Sequence, residues 1–112
     1  MLESWTTRGV IDAIDEMLRK RNSFLTPRQD KPFVARAKGD GVEVVNSRGK
    51  ARQIQERDFV GVVNLLRKSA EVRVMTFQQV TYHASYILAL IIAATGDEAL
   101  RAQVQQSWDA EE

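Results

Sequence analysis

The feature that most constrains the fold is a set of three short alternating runs in the middle of the chain. The runs cover residues 33–38, 42–46 and 50–55. Gly39-Asp40-Gly41 separates the first two, and Ser47-Arg48-Gly49 separates the last two. Such residues tolerate the positive φ that tight turns between strands require. Two tight turns joining three alternating runs predict a three-stranded antiparallel meander.

The alternation also assigns the side chains of the meander to faces, since successive residues of a strand point to opposite sides of a sheet. The face expected to meet the core carries Phe33, Ala35, Ala37, Val42, Val44 and Ile54. The open face carries Arg36, Lys38, Glu43, Ala51 and Gln53. A sheet this small needs a covering helix on one face to be stable, so we expect helices on the apolar side.

Helical periodicity flanks the meander on both sides. Apolar residues recur at three- and four-residue spacing over residues 4–21 and again over 56–69. A short helical segment is expected over 76–81, followed by an apolar helix over 82–95 and a last helix over 97–108. The chain is therefore predicted to be α+β, with an N-terminal helix, a three-stranded antiparallel meander, and three or four helices packed on it.

Size and composition limit the chain to one domain over residues 1–112. With 44% hydrophobic and 28% charged residues, it can bury one core but not two. The absence of cysteine excludes disulfides, thiolate metal ligands and a cysteine nucleophile. The longest apolar run, 84–94, is about half of the roughly 20 residues that a membrane span needs. The first residues lack a signal-peptide pattern, so we expect a bacterial-type cytoplasmic protein without membrane contact.

Charge is unevenly distributed along the chain. Residues 19–73 carry 14 Lys and Arg against 6 Asp and Glu, a local charge of +8, whereas the whole chain has a net charge of +1 because both ends are acidic. Such asymmetry either steers an anionic partner onto the basic region or is neutralised when the terminal helices fold back over it. The predicted contact residues are the basic side chains of the meander: Arg36, Lys38, Arg48, Lys50 and Arg52.

No residue pattern indicates catalysis. His83 is the single histidine, and it lacks the spaced partners of a zinc site. Ser85 lies two residues away near a helix start and does not face His83 as a catalytic triad requires. The glycines join strand to strand, as hairpin turns do, and not strand to helix, as phosphate loops do. We expect no enzyme activity, metal or cofactor. The alternative is a ligand-binding protein or enzyme whose pocket between sheet and helices uses Tyr82, Tyr86, His83 and Arg52.

The apolar helix over residues 82–95 is the remaining candidate for recognition. Residues 76–80 followed by 85–88 have roughly the spacing of a helix-turn-helix, but a recognition helix must show polar side chains to base edges. This helix has none beyond its first turn. A helix that is apolar all round is either buried or shared with a partner, and so small a domain has little protein to surround it. We therefore expect a homodimer with Tyr86, Leu90 and Ile91 in its interface.

A wider pattern of glycines and apolar residues links the meander to the apolar helix. It consists of Phe33-x-Ala35, Gly39-Asp40-Gly41-Val42-x-Val44, Gly49-Lys50-x-Arg52-x-Ile54, Phe59 and Thr81-x-x-x-Ser85-Tyr86-Ile87-x-Ala89-Leu90. This pattern resembles a small accessory α+β domain of bacterial restriction and defence proteins. The resemblance implies a binding or scaffold module and carries over no catalytic residues. Together with the basic meander it predicts a non-catalytic module that contacts nucleic acid or an acidic protein.

Overall fold

The computed structural model describes residues 2–27, 30–68 and 83–111, with side chains described up to residue 106. The described residues form four helices and four strands. In chain order these are α1 (Thr7–Lys20), β1 (Ser23–Leu25), β2 (Pro32–Lys38), β3 (Gly41–Val45), β4 (Ala51–Ile54), α2 (Glu56–Lys68), α3 (Ala84–Thr95) and α4 (Glu98–Glu111). The strands form one antiparallel sheet in the order β1-β2-β3-β4. The α+β class, the N-terminal helix and the meander are confirmed.

The sheet has one strand more than the sequence predicts. β1 lies in the proline-containing segment between α1 and the meander, and it pairs with the start of β2 through Ser23 opposite Val34 and Leu25 opposite Pro32. Three residues are too few to show a strand's alternation. Tertiary packing holds this strand, because Phe24 is buried and its ring centroid lies 5.7 Å from that of Phe33.

The turn between β2 and β3 uses its two glycines for different reasons. Gly39 has a φ of 60°, a conformation that glycine adopts without strain. Gly41 instead lies against the backbone of β4, where an added Cβ atom would clash with the carbonyl oxygen of Ile54. The predicted glycine turn is therefore confirmed, with one glycine shaping the turn and the other allowing the strands to approach.

The helix ends agree with the predicted ones to within about one turn, and their caps explain where they fall. The Thr6 hydroxyl oxygen accepts a hydrogen bond from the Gly9 amide and so caps the start of α1. Gly96, with a φ of 67°, ends α3 in a left-handed conformation. The Asp97 side chain accepts a hydrogen bond from the Leu100 amide at the start of α4. The helical segment predicted over 76–81 lies outside the described residues.

The core lies between the sheet and the helices, with α3 at its centre. α3 contacts α1, α2, α4 and β1, and its side chains Leu90 and Ile91 have no exposed surface. The predicted dimer interface needs correction here. The protomer itself surrounds these two side chains, so neither has exposed surface that could contact a second copy. Tyr86 keeps partial exposure. In the described ranges, no helix is long and apolar enough to cross a bilayer.

The predicted core face of the sheet is buried with one exception. Ala37 lies opposite Val42, on the side of β2 that Phe33 and Ala35 share, yet it is exposed. β1 pairs only with residues 32–34 of β2, so the far end of β2 has no strand beside it on that edge. The core therefore ends before Ala37.

Leu90→Ala should destabilise the fold. Removal of a fully buried leucine side chain leaves a cavity, which lowers the free energy of unfolding by about 2–5 kcal/mol. Urea denaturation measures this loss. Leu25→Ala is the matched control, since Leu25 is 55% exposed, and it should change the free energy of unfolding by no more than about 0.5 kcal/mol. Equal losses in the two variants would contradict the assignment of Leu90 to the core.

Candidate functional site

The basic residues predicted to form one contact surface lie at two ends of the sheet. Arg36 and Lys38 are on the open face of β2, with Lys38 at the end that leads into the Gly39-Asp40 turn and Arg36 opposite Glu43 in the middle of β3. Arg48 and Lys50 lie in the turn between β3 and β4, at the opposite end. At about 3.3 Å per residue, the length of β2 puts roughly 20 Å between Lys38 and the opposite end, and Arg36 lies between them. The structure therefore does not bring these four side chains into one cluster.

Arg52 belongs to neither end. It lies opposite Val44, which points into the core, so Arg52 is on the helix-covered side of the sheet. Its side chain is nevertheless exposed, because β4 is an edge strand. Arg52 therefore does not share a face with Arg36 and Lys38.

Arg36 and Lys38 are both paired with one carboxylate. Glu43 lies opposite Arg36 in the sheet, with Oε1 2.7 Å from Arg36 Nη2 and Oε2 3.0 Å from Lys38 Nζ. The hydrogen bonds from Lys38 and then from Arg36 hold the pKa of Glu43 below its usual value. Half of the positive charge at this end is thus neutralised within the protein.

Among the described residues, the cations at the other end have no carboxylate partner. Lys31, Arg48 and Lys50 are exposed, and the ion pairs of the described residues do not include them. Lys31 is absent from the predicted contact residues because it lies in a proline-bounded connection, where no alternation assigns a face. These three side chains are defined here as the basic turn cluster, and their charge is available to a ligand.

A groove of about 300 Å³ lies between the β3–β4 turn and the loop that joins β1 to β2. Its described lining consists of Thr26, Lys31, Pro32, Asn46, Ser47, Arg48 and Tyr86, and this set contains no carboxylate. Tyr86 reaches the groove from α3, where its ring packs edge-on against Phe33 with centroids 5.1 Å apart. No local pattern in the sequence predicts this groove, because its residues come from three separate segments.

Local hydrogen bonds fix both walls of the groove. The Asn46 side-chain oxygen accepts hydrogen bonds from the backbone amides of Arg48 and Lys50, at 2.9 and 3.0 Å. On the facing loop, the Thr26 hydroxyl oxygen accepts a hydrogen bond of 3.0 Å from the Lys31 amide. The backbone that carries the basic side chains is therefore positioned by the loops themselves.

A second concavity, of about 230 Å³, lies where the end of α3 meets β1 and the start of α4. Phe24, Ala89 and Ile92 form apolar parts of its lining, and Arg21 and Arg101 are the basic ones. The Arg21 guanidinium is stacked 4.6 Å from the centroid of the Phe24 ring and donates to the Ser23 carbonyl. Its charge is therefore engaged with the protein.

The residues suggested for an enzyme pocket do not line either concavity as a group. Of them, Tyr86 borders the groove, whereas His83 is at the start of α3 and Arg52 is at the edge of the sheet. Tyr82 lies outside the described residues. Of the three that are described, no more than one lines any of the described concavities.

Acidic side chains meet at the junction of α1, α2 and the β2–β3 turn. Asp15, Asp40 and Glu56 line a crevice of about 30 Å³ there. Burial, more than any neighbouring charge, raises the pKa of Asp15. Arg8 pairs with Glu56 at 2.7 Å and with Asp12 at 3.1 Å. Within the described part of the chain, no three His, Asp or Glu side chains are placed to hold a metal ion.

The ion pairs of Glu43 predict a pH dependence of stability. Because the folded-state pKa of Glu43 is lowered, its contribution is fully present above the ordinary value of 4.5 and is lost as the pH falls through the folded-state value. Glu43→Gln removes this contribution. The free energy of unfolding of wild type should exceed that of Glu43→Gln by more at neutral pH than in strong acid, as measured by urea denaturation. A difference that does not change with pH would show that the carboxylate charge does not matter.

Comparisons with known proteins do not assign a family. No protein-family model matches the chain, no curated protein matches it, and no solved structure is significantly similar to it. The resemblance to accessory domains of bacterial restriction and defence proteins therefore stays a prediction, and the interpretation of the site rests on its geometry.

Proposed function

We propose that the chain is a non-catalytic binding module that contacts the phosphate backbone of double-stranded nucleic acid through its basic meander. The observation that supports this is the basic turn cluster: Lys31, Arg48 and Lys50 are exposed and have no carboxylate partner among the described residues. Cations that neutralise phosphates release bound counterions, which supplies the sequence-independent part of nucleic-acid affinity. Arg36 and Lys38 contribute less, because Glu43 competes with a phosphate for them.

The preference for a duplex over a single strand follows from the positions of the aromatic rings. Proteins that bind single strands stack bases on exposed aromatic side chains. Phe24 and Phe33 are buried in the core, and Tyr86 is half-buried with its ring against Phe33. Among the described residues, the basic surface carries cations but no open aromatic platform, which suits contact with the backbone of a duplex.

The proposal concerns a single copy of the chain. The sequence-based argument for a homodimer is that the apolar helix needs a partner to cover it, and α3 is covered within the protomer instead. An acidic protein surface is the other partner that the charge of the cluster permits. Binding measurements with a nucleic-acid duplex distinguish between these two kinds of partner.

Two double variants with the same net charge test the proposal. Arg48→Gln with Lys50→Gln removes two unpaired cations, and Arg36→Gln with Lys38→Gln removes two that are paired with Glu43. Fluorescence anisotropy with a short DNA duplex at several salt concentrations gives the affinity and its salt dependence. The first variant should weaken binding and reduce the slope of log K against log salt by about 0.9 for each phosphate that the protein no longer neutralises. The second should have a smaller effect.

Equal losses in the two variants would show that net charge, and not the basic turn cluster, controls binding. The absence of binding to any DNA or RNA duplex at low salt would reject the proposal and leave an acidic protein as the partner. Circular dichroism of both variants confirms that the fold is retained.

A further inference from the structure

The groove between the β3–β4 turn and the β1–β2 loop combines basic side chains with uncharged hydrogen-bonding groups, which non-specific contact with an anionic surface does not require. Its basic side chains Lys31 and Arg48 lie beside Thr26 and Asn46, whose side-chain oxygens accept hydrogen bonds from backbone amides. We infer that this groove is a binding site for one phosphate group. The inference rests on the proposed function in one respect, since it takes the phosphate to be a phosphodiester of the duplex backbone.

One side-chain oxygen on each wall accepts hydrogen bonds from backbone amides. The Thr26 hydroxyl oxygen accepts the Lys31 amide, so its own hydrogen is left to donate. The Asn46 side-chain oxygen accepts the Arg48 and Lys50 amides, so its NH₂ group is the part left for a ligand. The hydroxyl hydrogen of Thr26 and the NH₂ group of Asn46 therefore remain as donors beside Lys31 and Arg48, and donors bind anions.

The charged groups point to the same class of ligand. Lys31 supplies an ammonium and Arg48 a guanidinium, whose fork of N–H donors matches two oxygens of a phosphate. The described lining contains no Asp or Glu to repel an anion or to compete for these cations. The opposite end of the sheet differs in this respect, because Glu43 already occupies Arg36 and Lys38.

The two walls of the groove suit the tetrahedral shape of a phosphodiester. The donors come from two loops that form separate walls, with Thr26 and Lys31 on one and Asn46, Ser47 and Arg48 on the other. A carboxylate has two oxygens in one plane, whereas a phosphate directs its oxygens tetrahedrally. A phosphodiester can direct one non-bridging oxygen to each wall, while its two ester oxygens are set tetrahedrally away from them and continue the nucleic-acid backbone.

Titration of the ¹⁵N-labelled full chain with inorganic phosphate tests the site. The amide signals of Thr26, Lys31, Ser47 and Arg48 should shift and saturate, and acetate at the same ionic strength should not reproduce these shifts. Arg48→Gln should weaken phosphate binding by at least about tenfold, since it removes a charge-assisted hydrogen bond. Arg57→Gln, which removes an exposed arginine in the first turn of α2, is the matched control and should bind phosphate like wild type.

Shifts that acetate produces equally, or that spread to the Lys38 end of the sheet, would overturn the inference. An Arg48→Gln variant with the same affinity for phosphate as Arg57→Gln would also overturn the inference. If the phosphate titration gives either of these results while the duplex still binds, the proposed function is retained and the phosphate site is rejected. If phosphate binds in the groove while no duplex binds, the site stands and the proposed function fails.

Two versions of one duplex identify the source of the phosphate, one with 5′-hydroxyl and one with 5′-phosphate ends. Equal weakening of both by Arg48→Gln supports a backbone phosphodiester. Weakening confined to the 5′-phosphorylated duplex contradicts a backbone contact and assigns the groove to a terminal phosphate.

Discussion

The burial of α3 is the constraint on which the rest of the structure depends. Seven of its 12 residues are buried, so protein has to surround it on several sides. α1, α2, α4 and β1 supply that cover. Because the helices lie on one face of the sheet, the open face and the two turns of the meander are left to the solvent. The position of the core thus determines which parts of the sheet stay exposed and can form a contact surface.

The two ends of the meander differ because of strand pairing and not because of the number of cations. Within the sheet, register places Arg36 opposite Glu43, and Lys38 reaches the same carboxylate. Arg48 lies in a turn, where no residue of a neighbouring strand is opposite it. A cation in the ladder is neutralised by its cross-strand neighbour, whereas a cation in a turn keeps its charge for a partner.

The parts of the fold that sequence predicts are those that depend on neighbours along the chain. Alternation and glycine spacing are local, so the meander and its faces are predictable. β1 is not, because three residues show no period, and its pairing with β2 and the contact of Phe24 with Phe33 hold it instead. The same limit applies to α3, since composition shows that the helix is apolar but not what covers it. The groove joins Thr26, Ser47 and Tyr86 across distant segments, and no local pattern predicts that meeting.

The acidic ends of the chain do not neutralise the basic meander in the described structure. Carboxylates of α1 pair mainly within that helix, as Asp12 does with Arg8 and Glu16 does with Lys20. In α4 the pair of Glu98 with Arg101 is equally local. Among the described ion pairs, the carboxylates of the two ends therefore do not engage the cations of the meander. Since salt screens exposed charges beyond about 8–10 Å, a ligand at the β3–β4 turn experiences the nearby cations and little of the distant carboxylates. A net charge near zero for the whole chain is thus compatible with a strongly basic contact surface.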